Sequence, residues 1–239
     1  MIPARFAATR LPGKPLVPIA GAPMIEHVWR RAGEASMLRE VVVATDDERI
    51  VRACEKFGAR AVLTSADHPT GTDRVAEVAA SLDDEIVVNI QGDEPLIAGR
   101  VIDAMVEQLL ADPGAPMATV AHGAAPGAEQ DPNRVKLVVD RAGRALYFSR
   151  APIPYVRDAS AGVRVWQHAG LYAYRRDFLA QFVTWPQTPL ERAESLEQLR
   201  ALENGHTIRV ALVEGWESLP VDVPEDVARV EAALAAAGA

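Results

Sequence analysis

Three cations, Arg5, Arg10 and Lys14, fall within one short segment, Pro3-Ala4-Arg5-Phe6-Ala7-Ala8-Thr9-Arg10-Leu11-Pro12-Gly13-Lys14-Pro15-Leu16. Small residues and Gly13 let the backbone approach a ligand and turn N–H groups toward it. With the three positive charges this is the chemistry of an oligophosphate cradle. The glycine spacing and the Lys-Ser/Thr pair of a Walker A loop are absent, as is the dinucleotide fingerprint. By spacing alone the same segment also reads as a solvated basic surface loop.

Two carboxylate motifs lie far from it in the chain. Asn89-Ile90-Gln91-Gly92-Asp93-Glu94-Pro95 follows the apolar run Ile86–Ile90 directly. Ligands of open α/β sheets bind at the carboxyl ends of strands, and a carboxylate there suits a hard cation such as Mg²⁺. Gly-Asp and Glu-Pro are also ordinary turn formers. In Leu219-Pro220-Val221-Asp222-Val223-Pro224-Glu225-Asp226 a carboxylate ends a short extended segment, and Pro224 sits where a helix would begin. Asp222 is either the cap of that helix or a second metal ligand facing Asp93. Two carboxylates would give Mg²⁺ the sparse protein ligation it favours.

Two further groups are weaker signals. In Ser65-Ala66-Asp67-His68-Pro69-Thr70-Gly71-Thr72-Asp73-Arg74, Gly71 and Thr72 open a helix whose N-terminus can donate to a ligand. Arg74 stands in its first turn, against the helix dipole. In the middle of the chain, Arg150 suits a carboxylate partner, because its fork pairs bidentately. His168 heads an apolar strand and reads as a core histidine rather than a catalytic one, Tyr172 and Tyr174 share parity as core aromatics would, and Glu197-Gln198 lie on a helix, where a solvated face is the plainer reading for at least one of them. No nucleophile elbow occurs, and the single cysteine, Cys54, has no histidine near it in sequence, so covalent catalysis is not expected.

The elements that must position these residues follow from apolar periodicity. Strands are predicted over Glu40–Ala44, Ala61–Leu63, Glu85–Ile90, Met117–Ala121, Val135–Val139, Ala145–Phe148, His168–Tyr174 and Ile208–Val213. Helices are predicted over Pro23–Glu34, Glu48–Phe57, Thr72–Leu82, Arg100–Leu110, Leu190–Glu203 and Pro224–Ala237. Continuous runs such as Val41-Val42-Val43 require both faces to be covered, as in a parallel sheet between helices. The alternation gives a three-layer α/β fold. From Met117 to Tyr174 strands follow one another with little helix, which predicts an inserted β-rich subdomain at about 122–175, used for acceptor recognition or self-association. Only Met1 and Ile2 precede Pro3, so the opening strand is either very short or the start lacks several apolar residues.

The chain of 239 residues suits one large domain with an insertion, and 49% apolar content supports a core. Its 25 basic and 33 acidic residues give a net charge of −8, which argues against a general nucleic-acid or membrane-surface binder. One cysteine leaves no intramolecular disulfide or cysteine metal knuckle, in keeping with a reducing, cytoplasmic location. No run of about 18 apolar residues occurs, so no membrane insertion is expected.

Taken in order, the Pro3–Leu16 segment, Gln91-Gly92-Asp93-Glu94-Pro95, Tyr147-Phe148-Ser149-Arg150, Leu196-Glu197-Gln198-Leu199-Arg200 and Val221-Asp222-Val223-Pro224-Glu225-Asp226 resemble the CMP-Kdo synthetase (3-deoxy-manno-octulosonate cytidylyltransferase) family over nearly the whole chain. The related sialic-acid enzymes typically have Gly-Ser-Lys where this chain has Ala7-Ala8-Thr9-Arg10. The resemblance implies a nucleotidyltransferase (Rossmann-like) mixed sheet, usually a homodimer. It implies transfer of CMP from CTP to the anomeric hydroxyl of Kdo, with Mg²⁺, for lipopolysaccharide synthesis. Ala4, Arg5, Arg10 and Lys14 would hold the nucleotide, with Gly71, Thr72, Arg74 and Gln91 beside it. Asp93 and Asp222 would hold the metal. Arg10, Lys14, Asp93 and Asp222 would be catalytic. Gln91, Arg150, His168, Tyr172, Glu197 and Gln198 would line the sugar-acid pocket. Rival readings are a cytidylyltransferase for another 2-keto sugar acid, a sugar-1-phosphate nucleotidyltransferase, or a non-catalytic homologue.

Overall fold

Ile2–Ala4 forms a short strand, β1, whose parallel register on β4 (Val42–Thr45) pairs Ile2 with Val43 and Ala4 with Thr45. β4 pairs in turn with β5 (Arg60–Leu63), again in parallel. On the other side of β1, the carbonyl of Met1 accepts from the N–H of Ile90, just after β6 (Ile86–Asn89). The computed structural model describes residues 1–7 and 11–237. All four residues of β4 are buried, as the continuous apolar run requires, whereas edge strand β5 exposes Arg60 and Leu63.

The chain divides into two compact units. The first comprises Met1–Asp103 and Ser218–Ala239, the second Ala104–Glu217. In the first, a small antiparallel pair, β2 (Pro18–Ile19) and β3 (Ala22–Pro23), leads into α1 (Met24–Ala32). α1 buries Met24, Ile25, Val28 and Ala32, the stripe expected of an amphipathic helix. Asp47 caps α2 (Glu48–Lys56) by accepting from the Arg49 N–H at 2.8 Å. α3 (Gly71–Ala79) opens on a capping box in which Thr70 and Asp73 satisfy each other's backbone N–H groups. The chain passes from the first unit to the second within α4 (Gly99–Ala111), and α8 (Pro224–Ala237) closes the first unit.

The second unit is built on a sheet in the order β11 (Ile208–Val213), β7 (Met117–Gly123), β10 (Trp166–Arg175), β8 (Lys136–Val139), β9 (Ala145–Ser149). β11 runs parallel to β7, and the other pairings are antiparallel. β10 begins two residues before His168, so His168 does not head its strand. A helix absent from the sequence reading, α5 (Arg176–Phe182), follows at once.

The helix predicted over Leu190–Glu203 is two helices, α6 (Pro189–Glu194) and α7 (Leu199–Glu203). Ser195 separates them at φ 52°, ψ 49°, a left-handed conformation that ends a helix. The apolar spacing continues across the break because Leu196 and Leu199 both remain buried, which is why periodicity alone did not reveal it. Mixed parallel and antiparallel sheets with intervening helices make this a mixed α/β fold.

Candidate active site

Lys14, Asp93 and Asp222 meet. The Lys14 Nζ lies 2.6 Å from Asp93 Oδ2 and 3.0 Å from Asp222 Oδ1. Their side chains keep 16%, 27% and 39% of their accessible surface, so the cluster faces solvent on one side. Burial opposes the charge on Lys14, but the Asp93 carboxylate, its hydrogen bond and those of Asp222 outweigh it and hold the ammonium above its ordinary pKa.

Local structure explains the convergence. Gly13, at φ 68°, turns the chain into a 3-10 turn over Lys14–Leu16. Gly92 lets the Asp93 turn lie against β1, since a Cβ there would come within 2.9 Å of the Pro3 carbonyl oxygen. The Val221 N–H donates to the Asp93 carbonyl at 2.9 Å, tying the two aspartate segments together directly. Beneath them Ile19, Met24, Val221 and Val230 form a buried cluster against which Leu11, Leu96 and Leu219 pack. Each segment that carries a site residue therefore also inserts an apolar anchor into one core.

Asp226, in the first turn of α8, accepts through its Oδ2 from the N–H groups of Asp222 (2.9 Å) and Val223 (3.1 Å) just before the helix. Burial raises the Asp226 carboxyl, but these N–H groups and Arg229 outweigh it, so its pKa falls below the usual range. The Asp222 carboxylate, just before the helix, accepts from Lys14 through Oδ1. Glu94, next to Asp93, is buried, and burial pushes its carboxyl up to about 8 against the hydrogen bond from Ser218.

The remaining first-unit residues separate. Ala4 is a buried strand residue, and the Arg5 Nη2 donates to the His68 carbonyl at 2.8 Å. Arg10 lies outside the described residues. Gly71 sits against Pro3, where a Cβ would meet the proline ring at 3.2 Å, and buried Thr72 receives Asn89 Nδ2 at 3.4 Å. Gln91 is half-buried in the turn, its carbonyl accepting from the Glu94 N–H. Arg74 is fully buried, donating to Thr64 Oγ1, to the Ser65 carbonyl (3.1 Å) and to Asp46 Oδ2 (2.9 Å). Asp46 thus explains a cation in the first turn of a helix, and sequence separation concealed that partner.

In the second unit an aromatic series runs Phe148, His168, Tyr172, Tyr174, Phe182, with successive ring centroids 5.0, 5.6, 5.9 and 6.0 Å apart. Thr119 Oγ1 donates its one hydrogen to the Leu171 carbonyl (2.7 Å), so the His168 Nε2 at 2.9 Å must carry a proton and donate to Thr119. Burial, then His122, pushes the His168 pKa down to about 3, so the ring is neutral at physiological pH. The Tyr172 hydroxyl donates to Gln198 Oε1 at 3.0 Å, and burial raises its pKa. The buried Gln198 Nε2 has no partner, a donor left to point at something else. Glu197 lies 3.8 Å from Arg200, which forks onto Glu191 at 2.5 and 2.8 Å.

Arg150 spends three donor nitrogens on carbonyls. Nε donates to Glu194 (2.7 Å), Nη1 to Pro132 (3.0 Å) and Nη2 to Ser195 (3.4 Å). Fully buried Lys136, which sequence reading missed, donates to the carbonyls of Asp131, Arg134 and Arg150 at 2.8, 2.6 and 2.5 Å. A lysine amid the alternating strand Val135–Val139 was its only signal. Among the described residues no helix is long and apolar enough to cross a membrane.

A family model described as cytidylyltransferase matches residues 1–208. The 3-deoxy-manno-octulosonate cytidylyltransferase of Solibacter usitatus is 55% identical over 231 residues, 96% of this chain and 91% of the relative. That of Syntrophotalea carbinolica is 51% identical over 243 residues, 98% and 97% of the two chains. The solved structure of CMP:2-keto-3-deoxy-manno-octonic acid synthetase complexed with CTP superposes with a TM-score of 0.93 at 43% identity, covering 99% of this chain and 97% of that one. A cytidylyltransferase from Leptospira borgpetersenii, 18% identical with a TM-score of 0.63, shares the fold. The chain belongs to the cytidylyltransferase family, among the 3-deoxy-manno-octulosonate cytidylyltransferases.

Proposed function

We propose that this chain transfers CMP from CTP to the anomeric hydroxyl of Kdo, yielding CMP-Kdo and pyrophosphate for lipopolysaccharide synthesis. The hydroxyl oxygen bonds to the α-phosphorus, the bond from that phosphorus to the bridging oxygen of pyrophosphate breaks, and the hydroxyl proton passes to water. The observation that carries the reading is the convergence of Lys14, Asp93 and Asp222 from three distant segments, in a chain about half identical to enzymes named for this reaction.

Nucleophile and electrophile are both anionic, since the hydroxyl stands beside a carboxylate and the electrophile is a triphosphate. Positioning and charge compensation must therefore do most of the catalytic work. Lys14 would offset charge building on pyrophosphate, with Arg10 expected to assist. The Asp93 and Asp222 carboxylates already enclose one cation, the Lys14 ammonium, so their oxygens fit a small divalent ion. Two protein carboxylates with the rest from water and phosphate is the ligation Mg²⁺ favours. When bound, Mg²⁺ supplies charge neutralisation at the phosphate and lowers the pKa of a coordinated hydroxyl.

For the acceptor, the unpartnered Gln198 Nε2 and the N–H groups that Arg150 does not spend on its three carbonyls are the donors that a sugar carboxylate and its hydroxyls would use. A cytoplasmic homodimer completes the proposal, with light scattering as the check on the dimer. The deciding test is pyrophosphate release from CTP with Kdo, with and without Mg²⁺, beside a panel of nucleotides and other 2-keto sugar acids. Release that needs CTP, Kdo and Mg²⁺ together supports the reading. Release only with another acceptor would transfer it to that sugar, and a folded protein inert toward the whole panel would make it a non-catalytic relative.

A further inference from the structure

We infer that Glu94 is a positioning residue that sets the spacing of Asp93 and Asp222 by clamping the Ser218–Val221 segment, an inference that rests on the metal reading above. Glu94 is 3% exposed, and its Oε1 accepts from the Ser218 hydroxyl. One residue earlier, the Asp93 carbonyl accepts from Val221 N–H at 2.9 Å. Residues 93–94 thus grip the segment at 218 and 221, and the residue after 221 is Asp222. Slack in this ladder passes straight into the separation of the two carboxylates.

An ordinary core residue does not account for the site. Glu94 Oε2 is buried without a hydrogen-bond partner, and an unsatisfied buried polar atom costs on the scale of a lost hydrogen bond. Leu96 and Leu219 line the neighbouring core, so a leucine at 94 would suit packing better. The acid is explained by what its other oxygen holds. Groups that orient metal ligands in this way typically change metal affinity by about 10–100-fold when removed.

The experiment measures Mn²⁺ dissociation constants by electron paramagnetic resonance, in the presence of CTP, together with kcat and the Kdo KM. The proteins are wild type, Glu94→Leu, Glu94→Gln, Ser218→Ala and Asp93→Asn. Glu94→Leu and Ser218→Ala should weaken Mn²⁺ by about 10-fold or more and lower kcat, with the Kdo KM unchanged. Glu94→Gln, which keeps the acceptor oxygen, should stay within about 2-fold of wild type. If Glu94→Leu does not fold, Ser218→Ala decides, since it removes one hydroxyl. Wild-type Mn²⁺ affinity in Ser218→Ala, alongside lost affinity in Asp93→Asn, overturns the positioning role and leaves the metal reading standing. Wild-type affinity in Asp93→Asn overturns the metal reading and this inference with it.

Discussion

Lys14 Nζ stands 2.6 Å from Asp93 Oδ2, between two carboxylates brought together from distant segments of the chain. Its second carboxylate, Asp222, is at 3.0 Å, so one ammonium offsets part of a double negative charge. Partly buried like charges repel at close range. The lysine therefore lets the aspartates approach each other without a metal. Under the proposed function, a nucleotide that draws the ammonium onto its phosphates would remove that cation from both carboxylates.

That arrangement has an opposite-signed consequence for binding and for turnover. Lys14→Met should raise Mn²⁺ affinity in the absence of nucleotide, by roughly 10-fold, because it removes a competing cation. It should lower kcat by about 100-fold or more, on the scale of losing one preorganised charge at a transition state. Titration of the nucleotide-free protein and steady-state kinetics check the two halves separately. Loss of Mn²⁺ binding in the variant would mean that Lys14 builds the site rather than holding its place.

Gly92 is where the Asp93 turn touches the first strand. A Cβ would lie 2.9 Å from the Pro3 carbonyl oxygen, a backbone atom that cannot swing aside. Gly92→Ala should cost about 1–3 kcal/mol of stability, the range for forced overpacking. Because the strain is relieved by moving the loop that carries Asp93, kcat should fall as well. Thermal melts and pyrophosphate release on one preparation measure both, and unchanged turnover would show that the loop yields without displacing the aspartate.

Arg74 is expected to act through stability. Its guanidinium is fully buried and engages Thr64, Ser65 and Asp46. Removing one member of a buried ion pair typically costs about 3–5 kcal/mol, mostly from the charge left behind. Arg74→Met should therefore lower stability by about 3 kcal/mol, toward the lower end because Asp46 keeps 17% exposure. Adding Asp46→Asn should restore part of that loss, which a double-mutant cycle by urea denaturation would read. Independent, additive losses would remove the pair from the account.

The sequence carried the pattern of the fold further than its interruptions. Val42–Thr45 and Ile86–Asn89 are strands because continuous β-branched runs need cover on both faces, and α8 has its predicted bounds. Ser195 is not marked in the sequence because serine has no intrinsic claim to the left-handed region it adopts. α5 was missed because seven residues opening on Arg-Asp hide the spacing of Phe178, Leu179 and Phe182. At the site, residue types and strand ends singled out Lys14, Asp93 and Asp222. Their mutual contact, Asp46 beneath Arg74 and Ser218 on Glu94 are pairings across 28 to 208 positions that no local pattern encodes.

His168 makes the stability of the second unit depend on pH in a definite direction. Its folded-state pKa is pushed down to about 3 by burial, then by His122, against an ordinary value of 6.5. The unfolded chain therefore takes up a proton below pH 6.5 that the folded chain refuses. Stability is fully present above that pH and falls as the pH drops toward 3, by at most about 1.4 kcal/mol per unit and about 2 kcal/mol by pH 5. Other groups titrate in the same interval, so the measurement is a difference. Urea denaturation of wild type and His168→Gln from pH 7.5 to 5 should show the wild-type curve falling more steeply. His168→Gln should be the less stable at pH 7.5, because it loses the packing against Phe148 and Tyr172. The gap should narrow as the pH falls. Parallel curves would mean that His168 is protonated in the folded protein, and the Nε2 donation to Thr119 would then have to be shared with a charged ring.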